Sequence, residues 1–342
     1  MKRSMLSLLL SFALLSGCAA GSRPEKRQYQ ATFLTLFDTV TTVVGYAERE
    51  ENFQAQAQVI YDQLLNYHQL FNIYEEYVGM NNLKTVNDNA GIAPVKVEQP
   101  ILDLLLDCRE LYEQTEGRVN VAMGSVLQLW HQARREGVED PEGAALPEWE
   151  QLQQAAAHME FDTVLIDEVA CTVYLADPDQ RLDVGAIAKG WAVERVCRAA
   201  PSGLLLSVGG NVCATGPRPT DGSPWVVGIQ DPDGEEEDYL HTLYLSRGSV
   251  VTSGDDQRYY TVDGRRYHHI IDPDTLYPAD RWRCVSVLCA DSGVADALST
   301  ALFTLPLEEG MALAAQWGVE AMWQDKEGQL HYTPGFEAYV RT

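Results

Sequence analysis

The chain has 342 residues, 46% of them hydrophobic and 22% charged, enough apolar material for one large core or two smaller ones. Its 50 acidic side chains against 25 basic ones leave a formal net charge of −25. With no long basic stretch, this balance argues against nucleic acid as a partner and against electrostatic adhesion to anionic membranes.

Lys2 and Arg3 precede an apolar run from Met5 to Leu15, and small residues follow it. That pattern predicts an export signal peptide over residues 1–17; the run is too short to span a bilayer comfortably. Leu15-Ser16-Gly17-Cys18 resembles the lipobox of bacterial lipoproteins, whose cysteine takes a diacylglycerol and becomes the mature N-terminus. The expectation is therefore a lipidated Cys18, a polar tether over 18–32 and a folded domain over 33–342, anchored to the outer face of a cell membrane. An ordinary secreted protein with a chance cysteine is the alternative.

Residues 33–46 are β-branched and read as a strand. Phe53, Ala57, Ile60, Leu64, Tyr67 and Phe71 repeat at helical spacing, and the turn-rich NNLKTVNDNAG after them reads as loop. Further helices are expected over Ile101–Tyr112, over 121–136 and from Pro147 to His158, then a hairpin across 161–175. The second half is richer in strands: 204–208, 225–229, 241–245, 249–253 and 283–289, with a hairpin turning at Asp263-Gly264. Helices clustered early and strands late predict an α+β fold in one compact unit. Besides Cys18, the six cysteines show no metal-ligand spacing, and buried free thiols are expected for them.

Four stretches could carry chemistry. LDVGAIAKGWAVERV (182–196) runs from a strand into a helix through a small-residue turn. The new helix offers free N–H groups to an anion and Lys189 adds a charge, although a tight turn with a surface lysine looks the same. SVGGNVCATG (207–216) could lay bare backbone against a ligand, or form a bulge or hairpin. His268 and His269 adjoin on a strand, so their rings face opposite sides and cannot both hold one metal. In ADALSTAL (295–302), Asp296 and Thr300 share one helix face inside an apolar segment. A buried carboxylate needs a cation or donors, and a carboxylate beside a hydroxyl is half of a Mg²⁺ site; local back-bonding is the other reading.

Taken together, LFDTVTTVV, FNIY, LDVGAIAKGWAVERV, SVGGNV, VVTSGDDQRYYTVDGRRYHHIIDPDT and VADALSTALF, in this order and spacing, resemble the ApbE family of FAD:protein FMN transferases from about Phe33 to Trp323. The resemblance implies a single ApbE-like (T-fold-like) α+β domain with mixed or antiparallel sheets and flanking helices. It implies FAD as substrate, Mg²⁺, and transfer of FMN to a threonine of an extracytoplasmic flavoprotein subunit of a redox complex (Rnf/Nqr-like) with a D-x-x-[ST]-G-A-T motif. AMP leaves. Alternatives are a Mg-dependent FAD pyrophosphatase giving FMN and AMP, and a flavin-binding lipoprotein without turnover. By the same resemblance Asp296, Thr300 and the Ala186 carbonyl hold the metal. Phe37, Tyr74, Ala122, Met123, Asp183, Lys189 and His269 contact the cofactor. His269 is the base for the acceptor hydroxyl, with His268 as runner-up. Three positions depart from the pattern: Asp256 replaces an aromatic residue, and Asn120 and Ala122 replace an Asp and a Thr.

Overall fold

The structure, a computed structural model, describes residues 25–235 and 237–342; the expected signal peptide and the expected lipidation site at Cys18 lie outside the described residues. The first half contains β1 (Arg27–Leu36), β2 (Thr39–Ala47), α1 (Glu50–Leu70), α2 (Leu83–Asp88), β3 (Val95–Lys96), α3 (Gln99–Gln114), α4 (Gly124–Glu139), α5 (Trp149–Ala156), β4 (Val164–Asp167) and β5 (Thr172–Leu175). The second contains α6 (Ala188–Ala199), β6 (Leu205–Val208), β7 (Asn211–Ala214), β8 (Trp225–Gln230), β9 (Tyr239–Leu245), β10 (Gly248–Gly254), β11 (Tyr259–Val262) and β12 (Arg265–His268). It closes with β13 (Trp282–Cys289), α7 (Ser292–Thr304), α8 (Leu307–Trp317), β14 (Glu320–Asp325) and β15 (Leu330–Tyr332).

Eight strands form the main sheet in the order β1-β2-β6-β7-β10-β13-β14-β15, every neighbouring pair antiparallel. The alternation along β13 shows how the layers stack. Val285 and Val287 pack with α7, while Cys284 and Leu288 point the other way, onto the β8–β9 hairpin. At the far end, Phe33, Val43 and Leu206 pack with Phe53 and Ile60 of α1 and Val193 and Val196 of α6. Helices α1, α6 and α7 thus cover one face of the sheet and a hairpin covers the other, an α+β arrangement as expected.

Several local expectations need correction. Residues 33–46 are not one strand: the chain reverses at Phe37 and Asp38, with φ of 52° and 53°. Neither residue is glycine or asparagine, so the β-branched run hides the turn. The tether expected through residue 32 ends sooner, because β1 begins at Arg27 and Ala31 is already buried in the sheet. The supposed loop at 81–91 holds α2, started by a capping box: the Asn82 side chain accepts from Thr85 N at 3.1 Å and the Thr85 hydroxyl accepts from Asn82 N at 3.3 Å. The helix expected from Pro147 starts at Trp149, and the one expected over 121–136 is α4. Gly209 and Gly210, with φ of 53° and 90°, turn the β6–β7 hairpin, and Asp263-Gly264 turns β11 into β12. The six described cysteines are free; Cys108, Cys197, Cys213 and Cys284 are buried. Among the described residues no helix is long and apolar enough to cross a membrane.

Candidate functional site

The site is built around two helix starts that face each other. Asp291 caps α7, its Oδ1 accepting from Gly293 N at 2.8 Å and Val294 N at 3.0 Å. Glu194 of α6 accepts from Ser292 N at 2.8 Å, and Arg198 of α6 bridges to Asp291 at 2.8 Å. These bonds lock α6 to the first turn of α7. Gly190 permits the contact: a Cβ there would overlap the Ser292 carbonyl oxygen and the Asp296 Cβ.

With the helices this close, Gly190 N donates to Asp296 Oδ2 at 2.8 Å, and the Lys189 ammonium stands 3.7 Å from Asp296 Oδ1. Asp296 is 4% exposed, so its charge is held by one backbone N–H and one facing cation. Thr300 lies one turn on, half-buried, its hydroxyl only loosely back-bonded to the Asp296 carbonyl at 3.5 Å. Just ahead of α6, the Ala186 carbonyl takes no backbone hydrogen bond among the described residues. A buried carboxylate, a nearly free hydroxyl and a bare carbonyl are hard oxygen donors of the kind Mg²⁺ takes, so the residues present suit that ion.

Asp183 is held in the same turn. Its backbone N–H bonds to Val121 O at 2.8 Å and its Oδ1 accepts from Gly185 N at 2.9 Å. Its Oδ2 faces His131 of α4 at 3.7 Å, and the other contact of that imidazole nitrogen is the Tyr74 hydroxyl at 2.9 Å. Tyr74 is 62% exposed, its hydroxyl on His131; burial and then the Asp183 charge push the phenol up to about 12. Phe37, at the β1–β2 turn, donates its N–H to His68 Nδ1 at 3.1 Å and packs edge-on against that ring.

The adjacent histidines differ sharply. His268 is buried, its Nε2 on the Ala279 carbonyl at 2.7 Å and its Nδ1 accepting from Ile270 N at 3.2 Å. Both nitrogens are used, so His268 is structural and the runner-up base is ruled out by its bonding. His269 lies just past β12 with a buried Nδ1 that has no partner. Burial first, then the charges of Arg258, His268, Lys189 and Arg134, lower its pKa to about 3. The ring is neutral at physiological pH and keeps a lone pair, but so low a pKa makes it a weak base until a bound anion offsets the surrounding positive charges.

Asp183, Lys189, Ala186, Asp296 and Thr300 thus share one neighbourhood, linked to His269 through the field of Lys189. Ala122 and Met123 are 0% and 5% exposed and their side chains fill apolar clusters behind the Asp183 turn, which leaves their main chain to meet a cofactor. Asn120 anchors that turn through Ala122 N at 2.9 Å and Met159 O at 3.0 Å. Asp256, half-buried and pushed up by burial, makes none of the ion pairs that hold its neighbour Asp255 to Arg283 and Lys326. Sequence reasoning missed His131, Arg134 and Arg258. The only signal for the first two was a histidine and an arginine three apart on α4.

The model of the ApbE family matches residues 37–323. A FAD:protein FMN transferase of Treponema pallidum is 30% identical over 345 residues, covering 94% of this chain and 91% of that protein. Another, of Klebsiella pneumoniae, is 32% identical over 257 residues, covering 72% of this chain and 77% of the relative. Among solved structures, the ApbE protein of Thermotoga maritima superposes with a TM-score of 0.82 at 28% identity, covering 92% of this chain and 100% of that one. The apo flavinyl transferase ApbE of Pseudomonas stutzeri gives 0.74 at 25% identity, covering 92% and 97%. With the match running from the first turn of the main sheet almost to its last strands, the chain belongs to the ApbE family.

Proposed function

We propose that this protein transfers FMN from FAD to a target protein, with AMP as the second product, and that the acceptor group is a threonine hydroxyl. The observation that carries the reading is the neutral His269 imidazole, its Nδ1 buried and unpartnered, close to Lys189, which itself faces the Asp296 carboxylate. Phosphoryl transfer is mostly positioning and charge neutralisation, and this cluster supplies both. Asp296, Thr300 and the Ala186 carbonyl would hold Mg²⁺, which when bound neutralises charge on the diphosphate.

The chain's own groups then have these tasks. His269 takes the proton of the acceptor hydroxyl as its oxygen bonds to the FMN phosphorus. The bond from that phosphorus to the AMP oxygen breaks, and AMP departs with the electron pair. The Lys189 ammonium faces the phosphate oxygens, while at the start of α6 the Ala188 and Gly190 N–H groups are already taken by Val184 O and Asp296 Oδ2. Tyr74, an exposed residue, and Phe37 offer flat rings to the flavin or adenine. Asp183 steadies the His131–Tyr74 pair from below.

The proposal extends to the setting. Leu15-Ser16-Gly17-Cys18 supports lipidation at Cys18 and an extracytoplasmic position on a membrane. The partner would be a flavoprotein subunit of an Rnf- or Nqr-like redox complex with a D-x-x-[ST]-G-A-T segment. To test the activity, the domain is incubated with FAD, Mg²⁺ and a peptide bearing that segment, then run on a denaturing gel under ultraviolet light. A fluorescent peptide band is expected. Free FMN and AMP with a dark peptide would make the protein a hydrolase, and unchanged FAD would make it a carrier.

A further inference from the structure

Arg134 has no task in the scheme above, yet its position is unusual. It lies one turn after His131 on α4, whose imidazole meets the Tyr74 hydroxyl at 2.9 Å and faces Asp183 at 3.7 Å. Arg134 Nε is buried and has no hydrogen-bond partner. A buried guanidinium N–H without an acceptor costs more than a hydrogen bond returns, so such groups are rare unless something binds them. Carboxylates are not scarce, with 50 acidic side chains to 25 basic ones. Even so, the ion pairs among the described residues include neither Arg134 nor Arg258. Both guanidiniums stand near enough to act on the same two groups, the Tyr74 phenol and the His269 imidazole. A buried Arg134 N–H without an acceptor and an unpartnered His269 imidazole, with the exposed Arg258 charge acting on the same ring, describe a place kept for an anion from outside the chain.

We propose that Arg134, together with Arg258, forms an oxyanion-binding site on the α4 side of the pocket, taking either a phosphate oxygen of the dinucleotide or a carboxylate of the acceptor protein. It rests on the transferase reading only for the identity of those ligands; the site itself follows from the buried, unpartnered Arg134 N–H and His269 imidazole. Arg134 is then a substrate-contacting residue beside His269, and the wall formed by Tyr74, His131 and Arg134 sets which anion enters.

The test compares wild type with Arg134→Gln and Arg134→Lys. Inorganic pyrophosphate is titrated by calorimetry, FAD by quenching of its fluorescence, and the acceptor peptide through KM for flavin transfer. If the ligand is a phosphate, Arg134→Gln weakens pyrophosphate and FAD by about tenfold or more and leaves the acceptor KM unmoved. If it is a carboxylate, the acceptor KM rises by about tenfold or more while FAD binding is unchanged. Arg134→Lys recovers part of either loss, since it keeps the charge and loses the fork. A folded Arg134→Gln protein that binds all three ligands within about twofold of wild type overturns the site. Should Arg134→Gln fail to fold, Arg258→Gln, on an exposed residue, is read by the same criteria. Wild type that binds pyrophosphate through Arg134 but leaves FAD untouched keeps the site and sinks the transferase reading. Wild type that transfers flavin with Arg134 indifferent does the reverse.

Discussion

His268 and His269 share a backbone bond and little else. The first spends both nitrogens on main chain and lies edge-on against Phe303. The second keeps Nδ1 free of protein partners. His269→Ala is expected to cut flavin transfer by roughly 10²- to 10⁴-fold, the usual range for a general base, and to keep FAD bound. Band fluorescence of the acceptor and quenching of FAD read the two halves of that statement; undiminished transfer would strip His269 of its role. The same residue carries a pH consequence. Its pKa falls from 6.5 in the unfolded chain to about 3, so the unfolded state takes the proton first as pH drops. Its contribution to stability is complete above pH 6.5 and lost progressively toward pH 3, by at most about 1.4 kcal/mol per pH unit. His68, His131 and His268 are lowered too, each chiefly by burial, and add to the slope. Melting temperature should therefore fall from pH 6.5 to 4, and less steeply in His269→Asn; identical slopes would contradict it. At this scale the sequence was informative where spacing fixes geometry. Asp296 and Thr300 must share a helix face, so their pairing is legible. His131 and Arg134 lie in LWHQARREG, which reads like any solvated helix surface until the fold turns that face onto Tyr74.

Among the elements, the crossing of α6 on α7 decides the geometry of the oxygen donors. In an open helix, Gly→Ala stabilises by about 1 kcal/mol. At Gly190 the sign reverses, because the added methyl would enter the Ser292 carbonyl and the Asp296 side chain. Gly190→Ala is expected to lower stability by about 1–3 kcal/mol and to raise the Mg²⁺ needed for half-maximal transfer. Thermal denaturation and a metal titration check this, and a variant as stable as its parent would show that the helices have room to spare. Helix α2 offers a second case. Asn82, 0% exposed, caps α2 and also donates to Gln69 O at 3.2 Å and Glu75 O at 2.8 Å, pinning the loop that carries Tyr74. Asn82→Ala should destabilise by about 1–2 kcal/mol and weaken FAD binding through that loop, measured by denaturant unfolding and flavin fluorescence. The cap was in plain view as N-x-x-T, but the surrounding Asn, Asp and Gly residues outweighed it and gave a loop. The hidden turn at Phe37-Asp38 is the converse, a reversal announced only by Asp38 within a β-branched run.

For the whole molecule, chelation should separate folding from chemistry. The sheet and its layers are held by apolar packing and backbone ladders, so EDTA is expected to stop transfer while circular dichroism stays unchanged. Structural collapse on chelation would instead make the metal part of the fold. Sheet order was not legible from the chain, since strands that neighbour one another in space are read from pairing, not from composition. β2 sits beside β6, and β10 beside both β7 and β13, so early and late segments interleave. One consequence follows from that weave. Asp183 and Asp296 stand 113 positions apart, yet they lie in one neighbourhood only while the intervening strands hold their places. A protease that nicks the backbone once between them and lets the pieces part would disarm the enzyme at a stroke, leaving neither fragment a working centre. Heat inactivation and melting of the β-ladder should accordingly share one midpoint.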